Sequence, residues 1–137
     1  MSTFRRTNEL RRLLESFRRL EVSDDFTFEI VVADNDIQET ARDIVDSLQA
    51  ELPRLNYFVE PRQNISHARN CTVNNACGTW IAFIDDDEIA DPNWLKAYWS
   101  LAKEKPADGY LGPVIPKVTH QIPDWLCLLY TSPSPRD

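Results

Sequence analysis

Three adjacent aspartates, Asp85 to Asp87, directly follow an apolar run from Trp80 to Ile84. Neighbouring carboxylates repel one another, so the cluster is either a solvated acidic turn or a set of ligands with a cation among its oxygens. Asp85 and Asp87 are two residues apart, and an extended backbone presents such residues on the same side. One of them could hold Mg²⁺ or Mn²⁺, and the other a sugar hydroxyl or a water of that cation.

A second acidic stretch, Asp34-Asn35-Asp36, ends another apolar run, Phe26 to Ala33. Both runs predict strands, and the run from Trp80 to Ile84 predicts a strand buried on both faces. The carboxyl ends of parallel strands meet at one edge of a sheet, where ligands bind in such folds. We therefore expect Asp34 and the three later aspartates to share one rim.

Amphipathic patterns between these runs predict the helices that position them. Helices are predicted over residues 8–20, 38–52 (ended by Pro53), 67–76 (with Ser66 as N-cap) and from Asp91-Pro92 onward, and further strands over 55–59 and 110–115. The buried face of the last helix is predicted to carry Trp94, Leu95, Tyr98, Leu101 and Ala102. This alternation predicts an α/β fold with a mostly parallel sheet covered by helices on both faces. Only Ser2 to Phe4 remain of a first strand, so the sheet is expected to be incomplete.

Size and composition limit the function classes. The 137 residues, 42% hydrophobic and 27% charged, are typical of one globular domain. There is no apolar run of about 18 residues and no secretory signal, and the three cysteines fit reduced thiols in a cytoplasmic setting. The net charge of −7 argues against nucleic-acid binding. Six arginines among the first twenty residues form a basic helix, which is either a solvated face or a contact for an anionic membrane surface or a phosphate.

The three glycines exclude the common phosphate-binding loops. Neither GxGxxG nor GxxxxGK[ST] is present, which argues against a dinucleotide dehydrogenase and a P-loop nucleotidase. A Ser-His-Asp hydrolase is also disfavoured, because there is no GxSxG elbow and Ser66 and His67 are adjacent. Without a phosphate-cradling loop, a diphosphate ligand would need a metal ion to neutralise it.

Five stretches of the chain together resemble the motifs of family 2 glycosyltransferases, which have the Rossmann-like GT-A fold. They are Thr3-Phe4-Arg5-Arg6 (T-[FY]-x-R), Ile30 to Asp36 (second strand and aspartate), Asn64 to Asn70 (the A-R-N helix, without its usual preceding glycine), Phe83 to Asp87 (DxD) and Asp91 to Leu95. The combination of Asp34-Asn35-Asp36 with residues 112–116 and 123–126 is similar to bacterial exopolysaccharide glucosyltransferases of the succinoglycan type.

The resemblance implies an inverting transfer of a hexose from a UDP-sugar to a saccharide or lipid-linked acceptor. The setting would be exopolysaccharide or cell-surface glycan synthesis at the cytoplasmic face of the membrane. It implies that Thr3, Asp34, Arg69, Asp85 and Asp86 bind the nucleotide-sugar and that Asp87 binds Mg²⁺ or Mn²⁺. Within that set Thr3 and Asp34 would contact uracil, Arg69 would approach the nucleotide, and Asp85 would contact the ribose or donor sugar. Asp86 could take the sugar or the metal.

The resemblance also predicts how the chain is organised. Residues 1–126 would be the donor-binding part, and residues 127–137, which have no core pattern and resemble adapter read-through, a tail foreign to the family. The catalytic base would lie in an acceptor-binding half beyond this chain, so the fragment could be inactive alone. Asp124 is the one candidate base here. The alternative is a non-catalytic nucleotide- or metal-binding domain, such as a receiver that uses a strand-end aspartate and Lys117.

Overall fold

The computed structural model describes residues 1–52 and 54–115, and its elements form an α/β architecture with a parallel sheet. The chain divides into two units, residues 1–107 and 108–137. In the first unit the strands are β1 (Ser2–Thr3), β2 (Ile30–Asp34) and β3 (Leu55–Val59), in the spatial order β1-β2-β3. The helices are α1 (Thr7–Phe17), α2 (Arg42–Leu48), α3 (Ile65–Asn74) and α4 (Trp94–Glu104). The predicted α/β class with a parallel sheet is confirmed.

The central strand β2 is buried along its whole length. Ile30 and Val32 belong to the hydrophobic core that α1 and α2 complete. Val31 and Ala33 alternate to the opposite face of the strand. The helix α3 contacts β1 and β2 and buries Ala68 outside that core. A strand whose side chains are buried in both directions is the pattern expected for a sheet between two layers of helices.

The helix α1 supplies the centre of the core. Leu10, Leu13 and Leu14 have no exposed surface, and the spacing i, i+3, i+4 places them on one face of the helix. Burying each of these side chains is worth about 1.5–3 kcal/mol relative to leaving it in water. The periodicity of the first twenty residues therefore predicted both the helix and its buried face correctly.

Several predicted boundaries are wrong by a few residues. The helix expected over residues 38–52 is regular only in α2, with turns on either side, and β2 begins at Ile30 instead of Phe26. The N-cap of α3 is Asn64 instead of Ser66, because Asn64 has an extended backbone and its side chain accepts a hydrogen bond from the Ser66 backbone N–H at 2.8 Å. The predicted helix terminator Pro53 lies outside the described residues.

The apolar run before the three aspartates is not a strand, which corrects the prediction. Trp80, Ile81 and Phe83 are exposed, and of this run only Ile84 is buried. A strand needs a partner that offers N–H and C=O groups along its length. The edge strand β1, whose Thr3 contacts Asp86, is only two residues long and offers few such groups to this run.

The helix α4 follows the expected pattern with less burial than predicted. The five residues assigned to its inner face are partly buried, and none is fully buried. Asp91 begins the preceding turn, where its side chain accepts a hydrogen bond from the Asn93 N–H at 2.9 Å, and the helix starts at Trp94. The Trp94 ring stacks on Phe17 with a centroid separation of 6.4 Å.

In the second unit, residues 108–115 contain no strand, so the strand predicted over 110–115 is wrong. Gly112 has a high conformational entropy to lose, and Pro113 cannot donate a ladder hydrogen bond. The predictions that involve Pro116, Lys117, residues 123–126 with Asp124, and the tail 127–137 lie outside the described residues.

Candidate functional site

A cavity of about 400 Å³ opens where β1 and β2 end. Its lining includes Thr3, Arg6, Asn35, Asn64 and the three consecutive aspartates Asp85, Asp86 and Asp87. The two acidic stretches lie on either side of Thr3, whose carbonyl accepts a hydrogen bond from the Asn35 backbone N–H at 2.9 Å. The fold therefore brings residues from the ends of two strands and from the acidic turn into one concave surface.

The three aspartates differ sharply in environment. The Asp86 side chain is 8% exposed, and its two oxygens accept hydrogen bonds from Thr3 Oγ1 at 2.8 Å and from Arg6 Nη1 at 3.3 Å. The Asp85 and Asp87 side chains are 61% and 56% exposed. Asp86 is consequently held by the protein, whereas its two neighbours turn toward solvent and can accept a ligand.

Two arginines neutralise the exposed carboxylates. Arg6 Nη1 lies 3.0 Å from Asp87 Oδ2, and Arg69 Nη2 lies 3.2 Å from Asp85 Oδ1. The negative charge of Asp86, followed by that of Asp87, raises the pKa of the Arg6 guanidinium. Exposed ion pairs of this kind contribute about 1 kcal/mol or less, so a cation or a phosphate that binds more strongly can replace either partner.

Asp34, predicted to contact the nucleobase, is fully buried and does not line the cavity. Its Oδ1 accepts a hydrogen bond from the Asp36 N–H at 3.0 Å. Its Oδ2 accepts one from the Ala41 N–H at 2.9 Å and one from the Tyr57 hydroxyl at 2.8 Å. Burial, together with the bond to Asp34, raises the pKa of Tyr57. With these donors in place, Asp34 organises the turn after β2 and the approach to α2.

Asn35 is a site residue that sequence reasoning missed. Its side-chain amide donates to the carbonyls of Glu60 at 2.7 Å and Arg62 at 2.9 Å, and its Oδ1 accepts from the Asn64 N–H at 2.9 Å. These bonds fasten residues 60–64, which include part of the cavity wall, to the end of β2. An Asn between two Asp residues after a strand indicates a turn. The hydrogen-bond partners of Asn35 are 25 to 29 residues away, so the neighbouring sequence does not predict them.

The donor set fits a divalent cation that arrives with a diphosphate. Within the described part of the chain, no group of three or more His, Cys, Asp or Glu side chains is arranged to hold a metal ion by itself. Mg²⁺ beside a nucleotide commonly binds one or two carboxylates and takes its other ligands from phosphates and water. Asp85 and Asp87 offer hard, solvent-facing oxygens of this kind.

Comparison with known proteins identifies a family and relatives of known sequence. A family model described as "Glycosyl transferase family 2" matches residues 1–134. The succinoglycan biosynthesis protein ExoM of Rhizobium meliloti is 37% identical over 125 residues, which make up 90% of this chain and 40% of ExoM. The GalNAc(5)-diNAcBac-PP-undecaprenol beta-1,3-glucosyltransferase of Campylobacter jejuni is 29% identical over 112 residues, 79% of this chain and 33% of that enzyme. The chain thus spans two fifths or less of the length of these curated relatives.

The structural comparison concerns the fold. A crystal structure of TarS from S. aureus matches with a TM-score of 0.70 at 22% sequence identity, over 85% of this chain and 36% of the TarS chain. The described sheet and helices therefore have the GT-A architecture that the motifs predicted. Among the described helices, none has the length and apolar content needed to cross a membrane.

Proposed function

The chain belongs to glycosyl transferase family 2, and on this premise we propose that it forms the donor-binding part of an inverting glycosyltransferase. The donor would be a UDP-sugar, and the reaction would transfer a hexose to a saccharide or lipid-linked acceptor in exopolysaccharide or cell-surface glycan synthesis. The names of two relatives support this: one is a succinoglycan biosynthesis protein, and the other is a glucosyltransferase whose name includes a saccharide linked to undecaprenol through PP.

The observation that carries the proposal is the pair of exposed carboxylates, Asp85 and Asp87, beside the cavity at the strand ends. In this proposal the uracil lies against Thr3 and Asn35, and Asp34 acts indirectly by fixing the turn that presents Asn35. A cavity of about 400 Å³ is within the range of small-molecule sites.

In this proposal the remaining site residues each bind or position a different part of the donor. Asp85 accepts a hydrogen bond from a hydroxyl of the ribose or donor sugar, and Arg69, which now pairs with Asp85, turns to the nucleotide phosphates. Asp86 shapes the site through Thr3 and Arg6. Asp87 holds Mg²⁺ or Mn²⁺, which when bound supplies positive charge against the negative charge that develops on the departing nucleoside diphosphate.

The acceptor side of the reaction lies elsewhere in this proposal. An inverting transfer needs a base to deprotonate the attacking hydroxyl, and we place this base in an acceptor-binding part. We also propose that the protein works at the cytoplasmic face of a membrane, in peripheral contact with it. Four exposed arginines at and just beyond α1, namely Arg11, Arg12, Arg18 and Arg19, support this contact. Anionic lipids attract such side chains by about 1 kcal/mol each near the surface.

The test is a calorimetric titration of the chain with UDP in the presence of Mn²⁺. We expect the Asp87→Ala variant to lose Mn²⁺-dependent UDP binding, because the carboxylate that holds the cation is gone. The exposed Asp24 does not line the cavity and has no hydrogen bond or ion pair within the described residues, so it provides a matched control. Asp24→Ala removes the same charge and should bind UDP as the wild type does. UDP binding that survives both EDTA and the Asp87 change would contradict the metal role.

A further inference from the structure

Arg6 is a positively charged side chain in direct contact with Asp87. Its backbone carbonyl accepts the Leu10 N–H at 2.9 Å, which fixes the residue at the start of α1. One terminal nitrogen of its guanidinium bridges two carboxylates, at 3.3 Å from Asp86 Oδ1 and 3.0 Å from Asp87 Oδ2. The side chain is 55% exposed, so it has room to turn away from Asp87.

The two contacts of Arg6 are unequal. Asp86 is buried and also accepts the Thr3 hydroxyl, so it is a fixed anchor. Asp87 is exposed and, within the described residues, has Arg6 as its only hydrogen-bond or ion-pair partner. A guanidinium and a divalent cation on the same carboxylate repel each other at contact distance. Arg6 contacts Oδ2 of Asp87, so a metal ion that binds this oxygen competes with Arg6 for it.

We propose that Arg6 is the resident counter-cation of Asp87: it weakens binding of a free divalent cation, and once displaced it donates to the diphosphate of the donor. This inference rests on the proposed function, because it assumes that cation and diphosphate meet at Asp87. Its consequence is positive coupling. The metal ion binds weakly alone and more tightly with UDP, since UDP gives the displaced guanidinium a new anion.

The experiment measures Mn²⁺ affinity from the electron paramagnetic resonance signal of free Mn²⁺, with and without UDP. We expect Arg6→Gln to bind Mn²⁺ alone about fivefold more tightly than the wild type, the ratio that corresponds to an exposed ion pair of about 1 kcal/mol. UDP binding at saturating Mn²⁺ should become about threefold weaker, which lowers the coupling between the two ligands by about the same factor and leaves the part that comes from direct contact between the cation and the phosphates. Arg6→Lys keeps the charge without the planar fork and should lie between the two.

The adjacent Arg5 offers a matched control. Arg5 has a similarly exposed side chain and pairs with a different carboxylate, Asp36, at 2.8 Å. Arg5→Gln therefore removes the same charge and should leave Mn²⁺ affinity unchanged. Circular dichroism melting establishes that each variant is folded, and Arg6→Lys serves alone if Arg6→Gln does not fold.

Two failures can be told apart. If Arg6→Gln and Arg6→Lys bind Mn²⁺ and UDP with wild-type affinities while Asp87→Ala loses Mn²⁺-dependent UDP binding, Arg6 is a structural clamp and the inference is overturned with the proposed function intact. If the wild type shows no Mn²⁺-dependent UDP binding at all, the proposed function fails, and the inference fails with it.

Discussion

The two acidic turns of this chain have nearly the same composition and opposite properties. Asp34-Asn35-Asp36 is buried, and protein donors bind its side-chain oxygens. Asp85-Asp86-Asp87 buries only its middle carboxylate and leaves the outer two exposed. Both turns adjoin Thr3, so position at the rim does not distinguish them. What distinguishes the two turns is the number of hydrogen-bond donors that the protein supplies to each carboxylate. A carboxylate surrounded by protein N–H and O–H groups is structural, and one that faces water remains available to a ligand.

Two consecutive arginines reproduce the same contrast. Arg5 donates to Asp36, and this hydrogen bond is the main cause that lowers the pKa of the Asp36 carboxyl. Arg6 instead reaches the second turn. Arg5 has a left-handed backbone (φ 54°), which is unusual for a residue other than glycine and directs the two neighbouring side chains to different turns. Arg5 is thus placed beside the buried turn Asp34-Asn35-Asp36, and Arg6 beside the partly exposed turn Asp85-Asp86-Asp87, which we call the open turn.

The largest expected effect on stability comes from the removal of the Asp34 carboxylate, which tests the difference between the two turns. We expect Asp34→Ala to lower the free energy of unfolding by about 3 kcal/mol, because the buried Ala41 N–H and the partly buried Tyr57 hydroxyl would both lose their acceptor. Urea denaturation measures the loss. Asp85→Ala is the counterpart in the open turn and should change stability by no more than about 0.5 kcal/mol. Equal effects of the two substitutions would show that the turns do not differ as described.

A smaller effect separates residues within the open turn. Asp86→Ala should cost about 1–2 kcal/mol, because the buried Thr3 hydroxyl loses its acceptor and Arg6 loses its fixed anchor. Asp87→Ala removes only an exposed pair and should cost about 0.5 kcal/mol or less. Thermal melts of the two variants side by side check this order. If Asp87→Ala proved the more destabilising change, the assignment of Asp86 as the structural member would be wrong.

The smallest expected effect is a change in how stability depends on pH, and it comes from Glu60 in the segment 60–64 that Asn35 holds by hydrogen bonds. Hydrogen bonds from Arg62 lower the pKa of Glu60 from its ordinary value of 4.5 to about 2. Because the folded pKa lies below the unfolded value, this stabilisation is complete above pH 4.5 and is lost as the pH falls toward 2. Glu60→Gln should therefore be less stable than the wild type at neutral pH and lose less stability across that window. Denaturation at pH 7, 4.5 and 3 measures the difference, and the exposed Asp24→Asn should follow the wild-type profile.

Much of the fold could be predicted from local patterns. The prediction was correct for the strand over residues 55–59 and for the helix with its leucines at i, i+3, i+4. Each of these elements depends on residues that are close together in the sequence. The segment Trp80 to Ile84 was mispredicted for the complementary reason. Its apolar residues favour a strand, but a strand forms only beside a partner, and in the described part of the chain only β1–β2 and β2–β3 are paired.

Residue type and spacing were sufficient to predict the four helices, the strands β1 to β3, the family and the two acidic stretches after apolar runs, but not the absence of strands over residues 80–84 and 110–115. The tertiary structure alone decided which carboxylates stay open. Tyr57 lies 23 residues from Asp34, and Thr3 lies 83 residues from Asp86. Whether an aspartate is buried among donors or left to solvent depends on such distant partners, and local sequence carries no trace of them.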